Sequence, residues 1–530
     1  MREQLSSISN HHFDVVVIGG GINGSVSAAA LASAGLNVLL VEQSDFASFT
    51  SQESSNMVWG GIKYLQSLEF ALVYKLCRSR AKLMKNYPNR IKPVGFLATI
   101  DENAPASLLA IWFGSWLYWL IGLFSTSMPK VRDRAMSVSY EPALAGQRFG
   151  GSVQYFDGLL LDNDARFVWD FIAKARGFGA TVRNYVRVNS GKFEDGVWQL
   201  QLLDTNPRVA ASDRANVTHS SLVEVTSGAV INAAGPFASV LNQQLGSDPG
   251  ARLVLSKGIH LVVPKITKDD RVLAFWDEEG RLFYVLPMHD RSVIGTTDTR
   301  VSDPFTQVSD DDRDFVLRQI NRSLNLSTPL NKQDIIAERC GVRPLVASSR
   351  RQQKNSDQVD WHKMSRKHVV TVDPARKLVS IFGGKLTDCL NVGEEIRAEM
   401  RHLGFSVSKQ KWFGEDQISR KKAKLALAQL VQHFREKTGG ELWSESLARG
   451  LFRRHGVAAL KIASEAKSED LAPVFEGLDF SFAELAFIAN NELVVTADDL
   501  LRRRTPLAIV RSHSNISANQ KLQDLIEGLG

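Results

Sequence analysis

The sequence predicts an α/β fold: a Rossmann-like dinucleotide-binding domain, a mixed-sheet substrate domain and an all-α C-terminal domain. Three observations predict it. The run Phe13 to Ile18 ends in Gly19-Gly20-Gly21-Ile22-Asn23-Gly24 and leads into a small-residue helix, the order of a βαβ unit. From about Ala180 the apolar period drops to two, as in half-buried antiparallel strands. After about Phe413 it lengthens to that of amphipathic helices and stays there.

Taken in order, FDVVVI has the composition of a buried parallel strand, and SVSAAALASAG is a helix closed by Gly35. NVLLV is a second strand ending at Glu42. Gly19 permits the tight turn, Gly21 lets backbone approach a pyrophosphate, and Gly24 lets helix pack on strand. Ile22 and Asn23 open the helix, whose free N–H groups suit an anion. Glu42 lies 18 residues past Gly24, where a carboxylate accepts hydrogen bonds from ribose hydroxyls and argues against a 2′-phosphate. The loop TSQESSNMVWGG is long and polar and offers Thr50, Ser51 and Ser55.

An antiparallel hairpin is expected over Ala180 to Asp204, as TVRNYVRV, a GKFEDG turn and VWQLQLL. Val186 on its first strand is a cofactor candidate. Leu222 to Asn232 reads as two short strands about Ser227-Gly228. AVINAAGPFA then brings Ala234 and Gly235 to a second close approach to a dinucleotide. Further short strands are expected at IHLVVP, RLFYVLP and SVIGTT. From Leu378 a strand runs into Gly383-Gly384 and a helix start carrying Lys385, Leu386 and Thr387. Such a helix end could stabilise negative charge on a reduced flavin. The long loop, the late AAGP strand and this turn together favour FAD over NAD. In the C-terminal part, Ser481 with Glu484 and Thr496 with Asp499 have capping-box spacing. The expected domains are 13–65 plus 150–245 plus 370–400 for the cofactor, 66–149 plus 246–369 for the substrate, and 410–530 for the helical unit.

Composition excludes several classes. The 530 residues are 44% hydrophobic and 23% charged, which rules out disorder and a polytopic membrane protein. The net charge of +7 is spread along the chain without a basic, aromatic-interleaved run, so nucleic acid is not an expected partner. Three distant cysteines form neither a metal pattern nor a disulfide framework and fit a reducing compartment. No metal is expected. MREQLSSISNHHF lacks the apolar core of a secretory signal.

The 19 uncharged residues 106–124 are long enough to raise the question of a membrane span. Topology argues against one, because dinucleotide motifs stand on both sides and must share a domain. A buried helix and a helix lying on lipid both remain. Trp112, Trp116, Tyr118 and Trp119 would be interfacial anchors, with Lys130, Arg132 and Arg134 beside them.

Residues 13–24, 50–65, 229–237, 255–264, 293–299, 341–345, 364–370 and 382–387 resemble the quinone-linked, FAD-dependent glycerol-3-phosphate dehydrogenases. LFRRHGVAALKIA and DDLLRRRTPLAIV near the C-terminus are similar too. The resemblance implies a D-amino-acid-oxidase-like flavoprotein fold with non-covalent FAD. It implies oxidation of sn-glycerol 3-phosphate to dihydroxyacetone phosphate by hydride transfer to flavin N5. It also implies a quinone acceptor and peripheral attachment to the cytoplasmic face of the membrane, and it leaves a homodimer open. Residue by residue it brings in His260 from KGIH, Arg343 from GVRPL and Lys385 from GGKLT as catalytic groups. Tyr64, Lys63 (an arginine in the family) and Arg366 from SRKHVV come in at the substrate.

Imidazole suits the base that takes the hydroxyl proton. Arg343 and Lys385 suit a developing alkoxide, and Lys63 and Arg366 suit a phosphate. The chain departs from the family at Trp59, which stands where an active-site histidine is usual, and at Ala30, Ala34, Cys389 and Leu390. Trp59 keeps open the dehydrogenation of another polyol phosphate, an oxidase of a small hydroxy or amino acid, or a flavin-binding protein without turnover.

Overall fold

The computed structural model describes residues 3–146, 148–208, 222–248, 250–277, 280–347, 367–416 and 418–529. Among these, two sheets and a C-terminal helical unit carry the architecture. In the first sheet, of eight strands, His12–Ile18 pairs in parallel with Val38–Val41 on one side and with Leu222–Asn232 on the other. Leu378–Phe382 extends the sheet beyond Leu222–Asn232, and Val369–Asp373 closes that edge antiparallel. The helix Ile22–Ser33 packs with Asp164–Gly177 and Cys389–His402 over one face. Its residues Val26 to Ala32 are buried, and small side chains there allow the close approach.

Two strand expectations differ from the structure. Thr181–Arg183 does not begin the hairpin; it pairs in parallel with Val38–Val41 at the sheet edge. The hairpin is Val186–Glu194 with Val197–Asp204, turning at Asp195 and Gly196, both at positive φ. A two-residue turn of this kind matches strand twist, so Gly191 to Phe193 stay in the strand. Leu222–Asn232 is likewise one strand. Its first half pairs antiparallel with the hairpin and its second half in parallel with His12–Ile18. The change falls at Ser227-Gly228, where a Cβ on Gly228 would stand 3.0 Å from the Asp14 carbonyl oxygen.

The second sheet, of ten strands, is built on Leu253–Pro264, which pairs antiparallel with Arg291–Gly295 and with Ala337–Val346. Gly151–Leu160 belongs here, antiparallel to Ile91–Ile100, as does Met57–Val58. The expected cofactor-domain segments therefore lose these two strands to the substrate sheet. Gly151–Leu160 is buried along almost its whole length although it carries Ser152, Gln154 and Asp157.

From Arg420 the described chain is helical: Arg420–Thr438, Ser444–His455 and Phe482–Asn491 are the main elements. Thr496 and Asp499 form the reciprocal cap. Ser481 caps Glu484 N–H, but the Glu484 carboxylate turns to Arg454 and His455. Residues 106–124 form the helix Leu108–Ile121, with Ser115 and Tyr118 buried and Leu109, Phe113 and Leu120 more than half exposed. No helix among the described residues is long and apolar enough to cross a membrane.

Candidate active site

The glycine fingerprint shapes one end of an elongated cavity of about 520 Å³ that runs along the carboxyl ends of the first sheet, the usual ligand position in open α/β sheets. Gly19 has φ +110° and its would-be Cβ falls 2.5 Å from the Ala233 carbonyl oxygen. Gly24 lies outside the cavity; a Cβ there would meet the Gly19 carbonyl oxygen at 1.8 Å. The helix starting at Ile22 has no acidic residue in its first turn, which leaves its dipole open to an anion. Its Ile22 N–H donates to Ser51 Oγ at 3.0 Å. Glu42 accepts from Gly20 N–H at 2.7 Å and Ser44 N–H at 3.0 Å. Burial nevertheless raises its carboxyl above the ordinary range, an environment that hydroxyl donors would relieve.

Gly19, Gly21, Ile22, Asn23, Glu42, Thr50, Ser51, Val186, Ala234, Gly235, Gly383 and Gly384 all line this cavity. Asn23 Nδ2 donates to the Gly383 carbonyl at 3.0 Å, tying the two glycine turns together. Ser55, Lys385, Leu386 and Thr387 lie outside it. Sequence reasoning missed Phe49, Phe237 and Phe305 on the cavity wall, whose rings meet at 5.1 to 5.5 Å. Their separation in sequence gave no signal. The shape, the anion-ready helix end and the buried carboxylate fit a dinucleotide such as FAD.

A second cluster sits where the two sheets meet. Lys385 Nζ donates to Tyr64 Oη at 2.6 Å and lies 5.2 Å from the centre of the Trp59 ring. Trp59 N–H donates to Thr387 Oγ1 at 3.0 Å. Trp59, Tyr64, Lys385 and Thr387 are thus brought together. Lys63, one residue from Tyr64, is exposed. Arg366 lies outside the described residues.

Strand alternation places the base candidate. Ile259, Leu261 and Val263 point into the apolar core beneath helix Asp310–Ser323, so His260 points to the opposite face. Cross-strand pairs Ser256 with Arg343 and His260 with Arg339 put both arginines on that face. Arg343 reaches Thr296 Oγ1 at 3.2 Å and Asp298 at 3.8 Å. Arg339 is fully buried and bonded to Asp164 at 2.7 Å. His260 is 2% exposed and neither ring nitrogen has a hydrogen-bond partner among the described residues. Burial, then Arg339 and Arg343, push its pKa well below the ordinary value. It is a neutral imidazole able to accept a proton. The other departures fall elsewhere: Ala30, Ala34, Cys389 and Leu390 are buried in the core, so they alter packing.

Residues 14–369 match the model of the FAD dependent oxidoreductase family, and 414–528 match the C-terminal domain of alpha-glycerophosphate oxidase. The chain belongs to the FAD-dependent oxidoreductases, in the glycerol-3-phosphate dehydrogenase family. It is 30% identical over 540 residues to glycerol-3-phosphate dehydrogenase 2 of Mycobacterium tuberculosis, covering 98% of this chain and 85% of that protein. It is 27% identical to the mitochondrial glycerol-3-phosphate dehydrogenase of Homo sapiens, over 99% of this chain and 71% of that one. The glycerol-3-phosphate dehydrogenase from Bacillus halodurans, solved with FAD, shares the fold at TM-score 0.70 and 21% identity, over 99% of this chain and 91% of that chain. FAD is accordingly the cofactor of this oxidoreductase, and the glycine-lined cavity is a candidate cleft for it.

Proposed function

We propose that this chain oxidises sn-glycerol 3-phosphate to dihydroxyacetone phosphate, with FAD as the first electron acceptor and a quinone as the next. The observation that carries the reading is His260: a buried imidazole whose nitrogens have no partner among the described residues, on one face with Arg343. The curated relatives named for this substrate support the same class. Bound FAD would supply the two-electron acceptor for the hydride of the carbinol carbon.

The chain's own residues do the rest. His260 takes the hydroxyl proton, contributing about 10²- to 10⁴-fold as a general base. Arg343 and Lys385 hold negative charge as it develops on the oxygen. Lys63 and Arg366 pair with the phosphate. Trp59 and Tyr64, whose rings both face Lys385 Nζ, shield that lysine from water. Trp59 also favours a second reading, a related polyol phosphate, because its indole fills volume a smaller ring would leave open.

The surface of helix Leu108–Ile121 supports peripheral attachment, with quinone drawn from lipid on the cytoplasmic face. Leu109, Phe113, Leu120, Leu123, Phe124 and Met128 are all more than half exposed, and exposed Lys130 and Arg134 flank them. An apolar patch rimmed by cations suits an anionic bilayer.

An anaerobic visible spectrum before and after adding sn-glycerol 3-phosphate tests the reaction. The oxidised flavin band should bleach within mixing time. A stable band with this substrate, followed by bleaching with another polyol phosphate, selects the second reading.

A further inference from the structure

Trp59 and Tyr64 bracket a loop whose backbone rests on a buried polar network the reaction does not use. Gly60 N–H donates to Asp157 Oδ1 at 3.2 Å. The Tyr118 hydroxyl donates to the same carboxylate at 2.8 Å and accepts from Arg80 at 2.9 Å. Arg80 also pairs directly with Asp157 and reaches Ser125 Oγ at 3.0 Å. All three side chains are at most 2% exposed. The fit admits no slack: a Cβ on Gly60 would stand 2.2 Å from the Tyr118 hydroxyl and 2.9 Å from Arg80 Nη1. Buried ionic groups like these fix geometry better than they add stability.

The same tyrosine belongs to the helix with the apolar outer face. Tyr118 points inward, while Phe113, Leu117 and Leu120, within about one and a half turns of it, point out. Arg80 holds Ser125, just past the helix end. The loop on the other side of the network carries Trp59, fixed to Thr387, and Tyr64, fixed to Lys385. A shift of this helix therefore moves the group on which the Gly60 backbone is seated.

We propose that Tyr118, through Asp157, is a positioning residue for the Trp59–Tyr64 loop and couples that loop to the surface on which the Leu108–Ile121 helix rests. This deepens the proposed function and rests on its reading of the helix as a lipid-docking face. A lipid surface that holds the helix selects one position of Tyr118, and the substrate wall follows. Neither Tyr118 nor Asp157 touches the reacting atoms. Their effect is on where Trp59 and Tyr64 stand when substrate arrives.

The test uses the FAD-loaded full chain labelled with 5-fluorotryptophan and read by 19F NMR, the Trp59 signal being assigned with Trp59→Phe. Phosphatidylglycerol–phosphatidylethanolamine vesicles should shift the signals of Trp112, Trp116 and Trp119 and, with them, that of Trp59. In Tyr118→Phe, which keeps the ring and the Arg80–Asp157 pair, the helix signals should still respond and Trp59 should not. KM for sn-glycerol 3-phosphate should rise about fivefold, the worth of one buried hydrogen bond, with kcat changed less. Helix signals that shift while Trp59 stays still in the wild type overturn the coupling. A Trp59 response that survives in Tyr118→Phe overturns the route through Tyr118. No vesicle response at all removes the lipid-docking reading and the coupling with it. Failure of the substrate to bleach the flavin would fall on the proposed reaction alone, since the NMR readout needs no turnover.

Discussion

Replacing His260 by Leu should separate chemistry from stability in opposite directions. The imidazole is 2% exposed, and its two ring nitrogens have no hydrogen-bond partner among the described residues. An unsatisfied buried polar atom costs about 1–3 kcal/mol, and Leu fills a similar volume with no such atom. The variant should therefore melt no lower than the wild type, and by this arithmetic about 1 kcal/mol or more above it. Loss of the base should slow anaerobic flavin reduction about 10²- to 10⁴-fold. The wild-type rate should also fall in acid as the imidazole protonates. Because burial and the two arginines depress its pKa, that fall lies below pH 6.5, and His260→Leu should lack it. Stopped-flow absorbance at the flavin band measures the rate, and calorimetry of the FAD-loaded protein measures the stability. Reduction within tenfold of the wild type, or an acid limb that survives in the variant, refutes the base assignment.

Gly24→Ala should abolish FAD retention: its Cβ would fall 1.8 Å from a backbone oxygen, so the helix must leave the strand and take its N-terminus out of line. A protein that purifies yellow with one FAD per chain would refute this. His368 gives a pH prediction. Burial opposes its charge, but hydrogen bonds to Asp388 and Glu395 win and raise its pKa to about 9. With the folded pKa above the unfolded one, the stabilisation is complete below about pH 6.5 and lost as pH rises toward 9, about 3 kcal/mol at most. Thermal melts across that range should show the wild type losing stability that His368→Gln never had; parallel curves would refute it.

What the sequence made legible was local. The βαβ fingerprint could be read because its glycines, helix start and acid fall within one short stretch, and each lands where turn and packing demand. The strand around His260 could be oriented because Ile259 and Leu261 fix the alternation. Thr181–Arg183 was misassigned because the hairpin and the parallel edge share a period of two. Gly151–Leu160 falls in the substrate sheet rather than the expected cofactor segment because its partner strand Ile91–Ile100 is distant in sequence, and nothing local announces that pairing. The Tyr118–Asp157–Arg80 network was invisible for another reason. Its members stand 39 and 77 residues from Asp157, and each alone looks like an ordinary core tyrosine or surface charge. One signal could have flagged it: a charged residue between Tyr155-Phe156 and Leu159-Leu160, as Asp157 is, rarely stays buried without partners.

Partnering also distinguishes the buried charges Asp45 and Arg339 from the equally buried His260. Asp45 is fully buried, yet it accepts from Arg503, Arg504 and Asn184 at 2.7 to 2.9 Å. That cluster fastens the C-terminal helical unit beneath the cofactor loop, where Phe46 lies against Gly20. Arg339 is held the same way by Asp164. His260, on the strand opposite Arg339, is as deeply buried and has no hydrogen-bond partner among the described residues. A buried imidazole without such a partner costs folding energy that its paired neighbours do not, and a substrate hydroxyl could complete the missing bond. For a base at His260 the surroundings would act twice: burial first, and then the arginines, favour the neutral, proton-accepting form, and the same arginines would leave positive charge near the oxygen that loses the proton. Both effects would act on the same reaction, which makes His260, rather than any of the paired charges, the group whose replacement tests it.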